Sequence, residues 1–447
     1  MINRLFPREL IFNVLSSYPS KREALSFVKK FKNPKIGLIK VNHPVSQKDL
    51  SCLATNLSHL CSLGVNPIVV METDLQFTGD NFTYNREICW NNLTDVFHLT
   101  EEINEVGRRS EPIYQYISLP NTGYADKWTD INIDLSKIKH TMSQGHIPIL
   151  VSSTVKDSQQ LLIPTNYVLK AICKALGEDE ELGSPFKFII INQSGGIAID
   201  GVHQGFINLL QDIPCLSSQQ MKELKSLEYH SHSASNNFSE GEGSKIYDSN
   251  GSNNRVIQLT DKEVVEDIKT IHELLQVLPS NASAIIASSQ SQSHLITNLI
   301  TEKPIAVSPR ADIHTVPPTL FRKGMTVSIH NNMSNVDKNK LQQLLELSFG
   351  KKLLEDYWER LETVCYSIVI AGDYDGAVIV TKELEDIIYL DKFAVDPSSQ
   401  GLGVADILWK VLTKYGNVSW RSRSNNPVNK WYICVLILGT LKKVMVT

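Results

Sequence analysis

Short, unbroken apolar runs recur through the first two thirds of the chain, at residues 36–41, 67–71, 147–152, 188–192 and 284–287. Strands with one wet face alternate apolar and polar residues, whereas strands covered on both faces do not. These runs therefore predict a parallel sheet with helices on both sides. Residues 260–278 supply one such helix. Thr260 and Glu263 stand in capping-box spacing, and Val264, Ile268, Ile271, Leu275 and Leu278 share a face. An α/β domain is expected over residues 34–302. The proline-rich stretch 303–325 has no apolar periodicity and reads as a linker. A second unit then opens, over 326–447. An amphipathic helix is expected at 341–354. The words "CYSIVIAGDYDGAVIVT" and "IIYLDKFAV" predict a hairpin and a third strand. Asp373 and Asp375 in the hairpin read as turn residues, since the rest of a calcium loop is missing.

Composition narrows the function. A chain of 447 residues is long enough for more than one core, and its formal net charge of −4 implies no basic surface. Nucleic acid and anionic membrane are not expected as partners, and no run reaches the ~20 apolar residues of a membrane span. The 7 cysteines are scattered without CxxC spacing, so reduced thiols and no metal site are expected. Residues 1–33 are basic and mix serine with apolar side chains, which suits either an organellar presequence or a surface helix. Residues 230–254 are dominated by Ser, Asn and Gly, and read as a disordered insertion. His230 and His232 within it read as solvated rather than metal-binding. The Asn-x-Ser/Thr sequences at Asn56, Asn81 and Asn92 read as chance.

The stretch "VDPSSQGLGVADILWK", residues 395–410, carries the chemistry. A strand ends and a turn with Gly401 and Gly403 follows. A helix then starts with Val404, Ile407, Leu408, Val411 and Leu412 on one face. Glycines without Cβ let the backbone approach an anion closely, and a helix start offers unpaired N–H groups. Alone, such a turn is better explained by turn geometry. Placed between strands and an amphipathic helix, Gln400, Gly403 and Ala405 fit the R/Q-x-x-G-x-G/A signature and resemble the pyrophosphate loop of GNAT-type N-acetyltransferases. "YLDKFAV" and "WRSRSNNPVNKWY" on either side resemble the acetyltransferase domain of N-acetylglutamate synthase in its fungal, arginine-biosynthetic form. "LCSLGVNPIVV", "INQSGGI" and "HLITNLITEKPI" resemble that family's amino-acid-kinase-like domain. The resemblance runs from about residue 34 to Tyr432.

The resemblance implies an amino-acid-kinase-like parallel-sheet domain followed by a GNAT-type acetyltransferase domain. It implies transfer of acetyl from acetyl-CoA to L-glutamate, with no metal. It places acetyl-CoA on Val395, Gln400, Gly401, Gly403 and Ala405, and glutamate on Lys392, Arg421 and Asn426. It makes Tyr432 the group near the thioester, where a phenol can protonate the leaving thiolate or polarise the carbonyl. Asn426 before Pro427 is also a good helix N-cap, and both roles stay open. L-arginine as feedback inhibitor, a homo-oligomer and a mitochondrial matrix location are further implications. A rival reading is a non-catalytic, arginine-sensing subunit that binds acetylglutamate kinase. An active kinase is a weaker reading. Lys40 is present, but the first strand runs into "KVNHP" and the second into "METD", where a kinase has glycine runs. After Tyr432 the chain reads "ICVLILGTLKKVMVT", unlike the family's continuation. The acetyltransferase domain is therefore expected to be incomplete, weakly active or inactive, and prone to aggregate.

Overall fold

The computed structural model describes residues 35–42, 46–62, 64–72, 86–119, 131–156, 159–199, 202–212, 262–290, 317–384, 387–399, 403–416, 418–422 and 445–446. The presequence candidate, the 230–254 insertion with His230 and His232, and Thr260 lie outside them.

The first domain is built on an 8-stranded sheet. Its strands are β1 (Lys35–Val41), β2 (Val65–Met71), β3 (Ser110–Ile113), β4 (Ile147–Val151), β5 (Lys187–Asn192), β6 (Phe206–Asn208), β7 (Ser283–Ser288) and β8 (Thr319–Arg322). Their spatial order is β6-β8-β7-β5-β1-β2-β4-β3. All neighbours run parallel except β7 and β8. Each apolar run of the sequence is one of the buried strands. Helices α1 (Gln47–Ser62) and α2 (Arg86–Glu105) cover one face. Helices α3 (Leu135–Ser143), α4 (Thr165–Glu178) and α5 (Lys262–Val277) cover the other. The five apolar residues read on the helix at 260–278 are all buried.

One expectation fails here. Residues 303–325 read as a linker, yet Thr319–Arg322 is a fully buried strand of the first sheet, paired with β6 and β7. Four residues are too few to show a period, and flanking prolines hid the strand. Among the sequons, the Asn56 side chain is buried and donates to the Ser289 carbonyl at 3.0 Å, so no glycan fits there. Cys52, Cys61, Cys173 and Cys365 are free thiols, and burial pushes the Cys173 thiol up to about 12.

Two polar clusters lock the first domain. Lys40, 4% exposed, meets Glu72 at 2.6 Å and Asp267 of α5 at 2.8 Å, and Asn42 donates to the other Asp267 oxygen at 2.8 Å. Burial alone would lower the Lys40 pKa, but the two carboxylates more than offset it and raise it. At the start of α1, Ser46 and Asp49 exchange hydrogen bonds in a capping box, and Asp49 also accepts from Ser289 at 2.6 Å and Gln290 at 3.1 Å. Burial opposes its charge, but these donors more than offset that and hold its carboxyl below the ordinary value.

The second sheet has the order β9-β10-β11-β12-β13-β14. Its strands are β9 (Val327–His330), β10 (Cys365–Ala371), β11 (Gly376–Leu384), β12 (Ile387–Val395), β13 (Val418–Ser422) and β14 (Met445–Val446). Strands β9 to β12 are antiparallel neighbours, and β12, β13 and β14 run parallel. The hairpin and third strand fall where the sequence put them. Asp373 pairs with Lys340 at 2.7 Å, as a turn residue. Helices α6 (Lys338–Phe349) and α7 (Tyr357–Val364) cover one face, and α8 (Val404–Leu412) the other. Helix α6 ends before residue 354, because Gly350 takes a left-handed φ of 64° as its C-cap. The tail contributes β14 beside β13, while residues 423–444 lie outside the described set.

Removing Lys40 strands two carboxylates. Lys40→Met should destabilise the first domain by about 3–5 kcal/mol in urea unfolding, and adding Asp267→Asn should restore part of the loss. Because the folded Asp49 pKa is depressed, its contribution is present above an unfolded value of 3.8 and is lost as pH falls through the folded one. Asp49→Asn should flatten the acid limb of a stability–pH curve, and an unchanged limb would contradict the assignment.

Candidate active site

Strand β12 organises the second domain. It pairs with β11 from Leu384↔Ile387 to Gly376↔Val395, with an irregularity between the pairs Val380↔Leu390 and Ile379↔Lys392. Asp391 is the extra residue, a β-bulge. On its other side β12 pairs with β13 only at Ile388↔Val418, Tyr389↔Ser419 and Leu390↔Trp420. Among the described residues no pair joins the two strands beyond Leu390. Residues 391–395 thus have no described pair with β13, and the two strands splay there.

The faces of the sheet divide the expected site residues. Trp420 packs edge-on against Trp409 of α8, with centroids 5.7 Å apart, so Trp420 lies on the α8 face. Side chains alternate along a strand, so the neighbouring Arg421, which is exposed, lies on the opposite face. Lys392 is paired with Ile379, and both Ile379 and Ala394 belong to the cluster beneath α6 and α7. The structure therefore brings Lys392 and Arg421 to one face, across the splay from each other.

Lys392 is not alone there. Its Nζ meets Asp391 Oδ2 at 2.9 Å and lies 4.9 Å from the Tyr357 ring centroid. The Tyr357 hydroxyl donates to the same oxygen at 2.8 Å, and Arg360 Nη2 donates to Asp391 Oδ1 at 3.2 Å. The bulge lets the consecutive residues Asp391 and Lys392 both reach α7. Burial first, and then the Asp391 carboxylate, push the Tyr357 phenol well above the ordinary tyrosine range, so it remains a donor. Sequence reading missed Tyr357, Arg360 and Asp391. The adjacent Asp-Lys pair inside an otherwise apolar strand was the available signal, since a regular strand would send the two to opposite faces.

On the other face, β12 runs into the glycine turn. Asp396 caps it by accepting from the Ser398 N–H at 2.7 Å, and Ser399 Oγ donates to Asp375 Oδ1 at 2.7 Å. Gly403 is the N-cap of α8 with φ 82°, a left-handed conformation that disfavours any side chain. A Cβ there would also meet Arg322 Cδ at 2.9 Å. Arg322 is the last residue of β8, so the first domain reaches the turn directly. The remaining α8 contacts extend this join. Ile407 is buried with Phe206 and Leu320, and Lys410 pairs with Asp212 at 2.7 Å. Ala405 lies half-buried in the first turn of α8, and Val395 half-buried at the end of β12. Gln400, Gly401, Asn426 and Tyr432 lie outside the described residues. Among the described residues no cluster of His, Cys, Asp and Glu could hold a metal ion, and no helix is long and apolar enough to cross a membrane.

The second sheet thus carries Gly403 and the start of α8 on one face, and Lys392, Arg360 and Arg421 on the other. Residues 328–434 match the family model described as the N-acetyltransferase of N-acetylglutamate synthase. A mitochondrial amino-acid acetyltransferase of Laccaria bicolor is 30% identical over 88% of this chain and 74% of its own length. Its counterpart in Scheffersomyces stipitis is 29% identical over 87% of this chain and 68% of its own length. A solved N-acetylglutamate synthase of Neisseria gonorrhoeae, complexed with coenzyme A and N-acetyl-glutamate, is 14% identical with a TM-score of 0.50, covering 92% of this chain and 90% of that one. That likeness shows the fold, a kinase-like domain followed by an acetyltransferase domain. Carried by the length of the match to the Laccaria relative, the conclusion is that this chain belongs to the mitochondrial amino-acid acetyltransferase family.

Proposed function

We propose that the chain transfers acetyl from acetyl-CoA to the α-amine of L-glutamate, giving N-acetylglutamate and coenzyme A. The observation that carries this reading is the two-faced arrangement of the second sheet. Gly403 and α8 stand on one side of the sheet, Lys392 and Arg421 stand on the other, and the described pairing of β12 with β13 stops at Leu390 between them. In this reading the pyrophosphate of acetyl-CoA lies on Gln400, Gly401, Gly403 and Ala405, where a helix start and close backbone favour an anion. The thioester enters the splay, and a backbone N–H near Val395 receives its carbonyl oxygen. Lys392, Arg421 and Asn426 hold the carboxylates of glutamate. The neutral amine attacks the carbonyl carbon, the C–S bond breaks, Tyr432 gives a proton to the departing thiolate, and the proton lost by the acylated nitrogen passes to solvent, from which the phenolate is reprotonated.

The first domain serves as a scaffold with no phosphoryl transfer. Its Lys40, the cation that would meet a phosphate, is already held by Glu72 and Asp267. Feedback by L-arginine through this domain, a homo-oligomer and a matrix location complete the proposal.

Acetylation of glutamate from labelled acetyl-CoA, with and without arginine, tests the reading, and absence of product with the purified chain would favour a regulatory subunit. Gly403→Val should weaken acetyl-CoA at least tenfold by calorimetry, about 1.4 kcal/mol, in a variant whose melting curve shows it folded. Unchanged affinity would remove coenzyme A from the turn. ATP with N-acetylglutamate should give no ADP above a no-enzyme control, and sustained turnover would restore the kinase reading.

A further inference from the structure

We infer that Arg360 of α7 binds the side-chain carboxylate of the acceptor amino acid and so selects an acidic substrate. The inference rests on the proposed acetylation of glutamate. Two cations, Arg360 and Lys392, share one carboxylate and one aromatic ring. Arg360 takes Asp391 Oδ1 at 3.2 Å, and Lys392 takes Oδ2 at 2.9 Å. Their charges lie 5.8 Å and 4.9 Å from the Tyr357 centroid. Counting Asp391, this group keeps one net positive charge, matched to one more carboxylate.

The two cations are not equivalent. The Lys392 ammonium is directed at the Asp391 carboxylate, with the Asp391 carbonyl at 3.4 Å and the Tyr357 ring beside it, and its side chain is 24% exposed. The Arg360 side chain is 52% exposed, and among the described residues its guanidinium donates only to Asp391. A guanidinium has five N–H donors in a planar fork, so it can hold Asp391 and still present an edge to a second carboxylate. Direction follows from the chemistry. The amine must reach the thioester in the splay, so the α-carboxylate beside it stays near the strand residues Lys392 and Arg421. The γ-carboxylate extends outward along the same face, towards α7. Asp391, fixed by the Tyr357 hydroxyl at 2.8 Å, acts as a positioning residue that aims Arg360 at that place.

The test compares acceptors with the full chain. Arg360→Ala should raise the KM for glutamate about tenfold or more, leave the KM for acetyl-CoA unchanged, and leave kcat/KM for glutamine unchanged, because the amide never used the charge. Arg360→Lys should recover part of the loss, keeping the charge but not the fork. A glutamate KM within about twofold of the parent would overturn the inference. So would equal losses with glutamate and glutamine, or a matching rise in the acetyl-CoA KM, which mark a merely structural residue. If the parent chain acetylates no glutamate, the functional reading itself falls, and this inference with it.

Discussion

The burial of helix α8 is the constraint on which the rest depends. Val404, Ile407, Leu408, Trp409, Val411 and Leu412 are all buried within a helix of 9 residues. At roughly 1.5–3 kcal/mol for each large apolar side chain, this burial is worth on the order of 10 kcal/mol. Its N-terminus at Gly403 is therefore held firmly. Most of the face packs on the second sheet. Ile407 instead joins the core of the first domain, and Lys410 pairs with Asp212. One short helix thus ties the two domains together.

That attachment makes Gly403 a doubly restricted position. Its left-handed φ disfavours a side chain, and Arg322 of the first domain occupies the space where a Cβ would stand. The sequence offers the close approach of an anion as the reason for the glycine. The structure adds a second reason, the approach of a neighbouring domain. The first domain's own polar interior is turned inwards, with Lys40 held between Glu72 and Asp267. Such a cluster stabilises only as a set, since each member leaves the others uncompensated when removed.

The bulge at Asp391 does comparable work on the opposite face. A regular β12 would place Asp391 and Lys392 on different sides of the sheet. With the extra residue, both reach α7, and Tyr357, Arg360, Asp391 and Lys392 form one charged cluster beside the splay. The strand irregularity therefore gathers these charges on one face, beside the splay.

The sequence by itself determined the architecture. Unbroken apolar runs gave the parallel strands, the hairpin words gave the second sheet, and the period of residues 404–412 gave α8 with every expected residue buried. These signals are local, since one face or both must leave water wherever the element packs. It also put Lys392 and Arg421 forward, through words that resemble a family. What only the tertiary structure decided were relations between distant residues. Thr319–Arg322 joins the first sheet because β6 and β7 present edges that four residues can fill. Arg322 meets Gly403, and Arg360 meets Asp391, because helices dock and a strand bulges. No period or spacing encodes such contacts. They depend on which surfaces meet when the chain closes on itself, and that is set by packing.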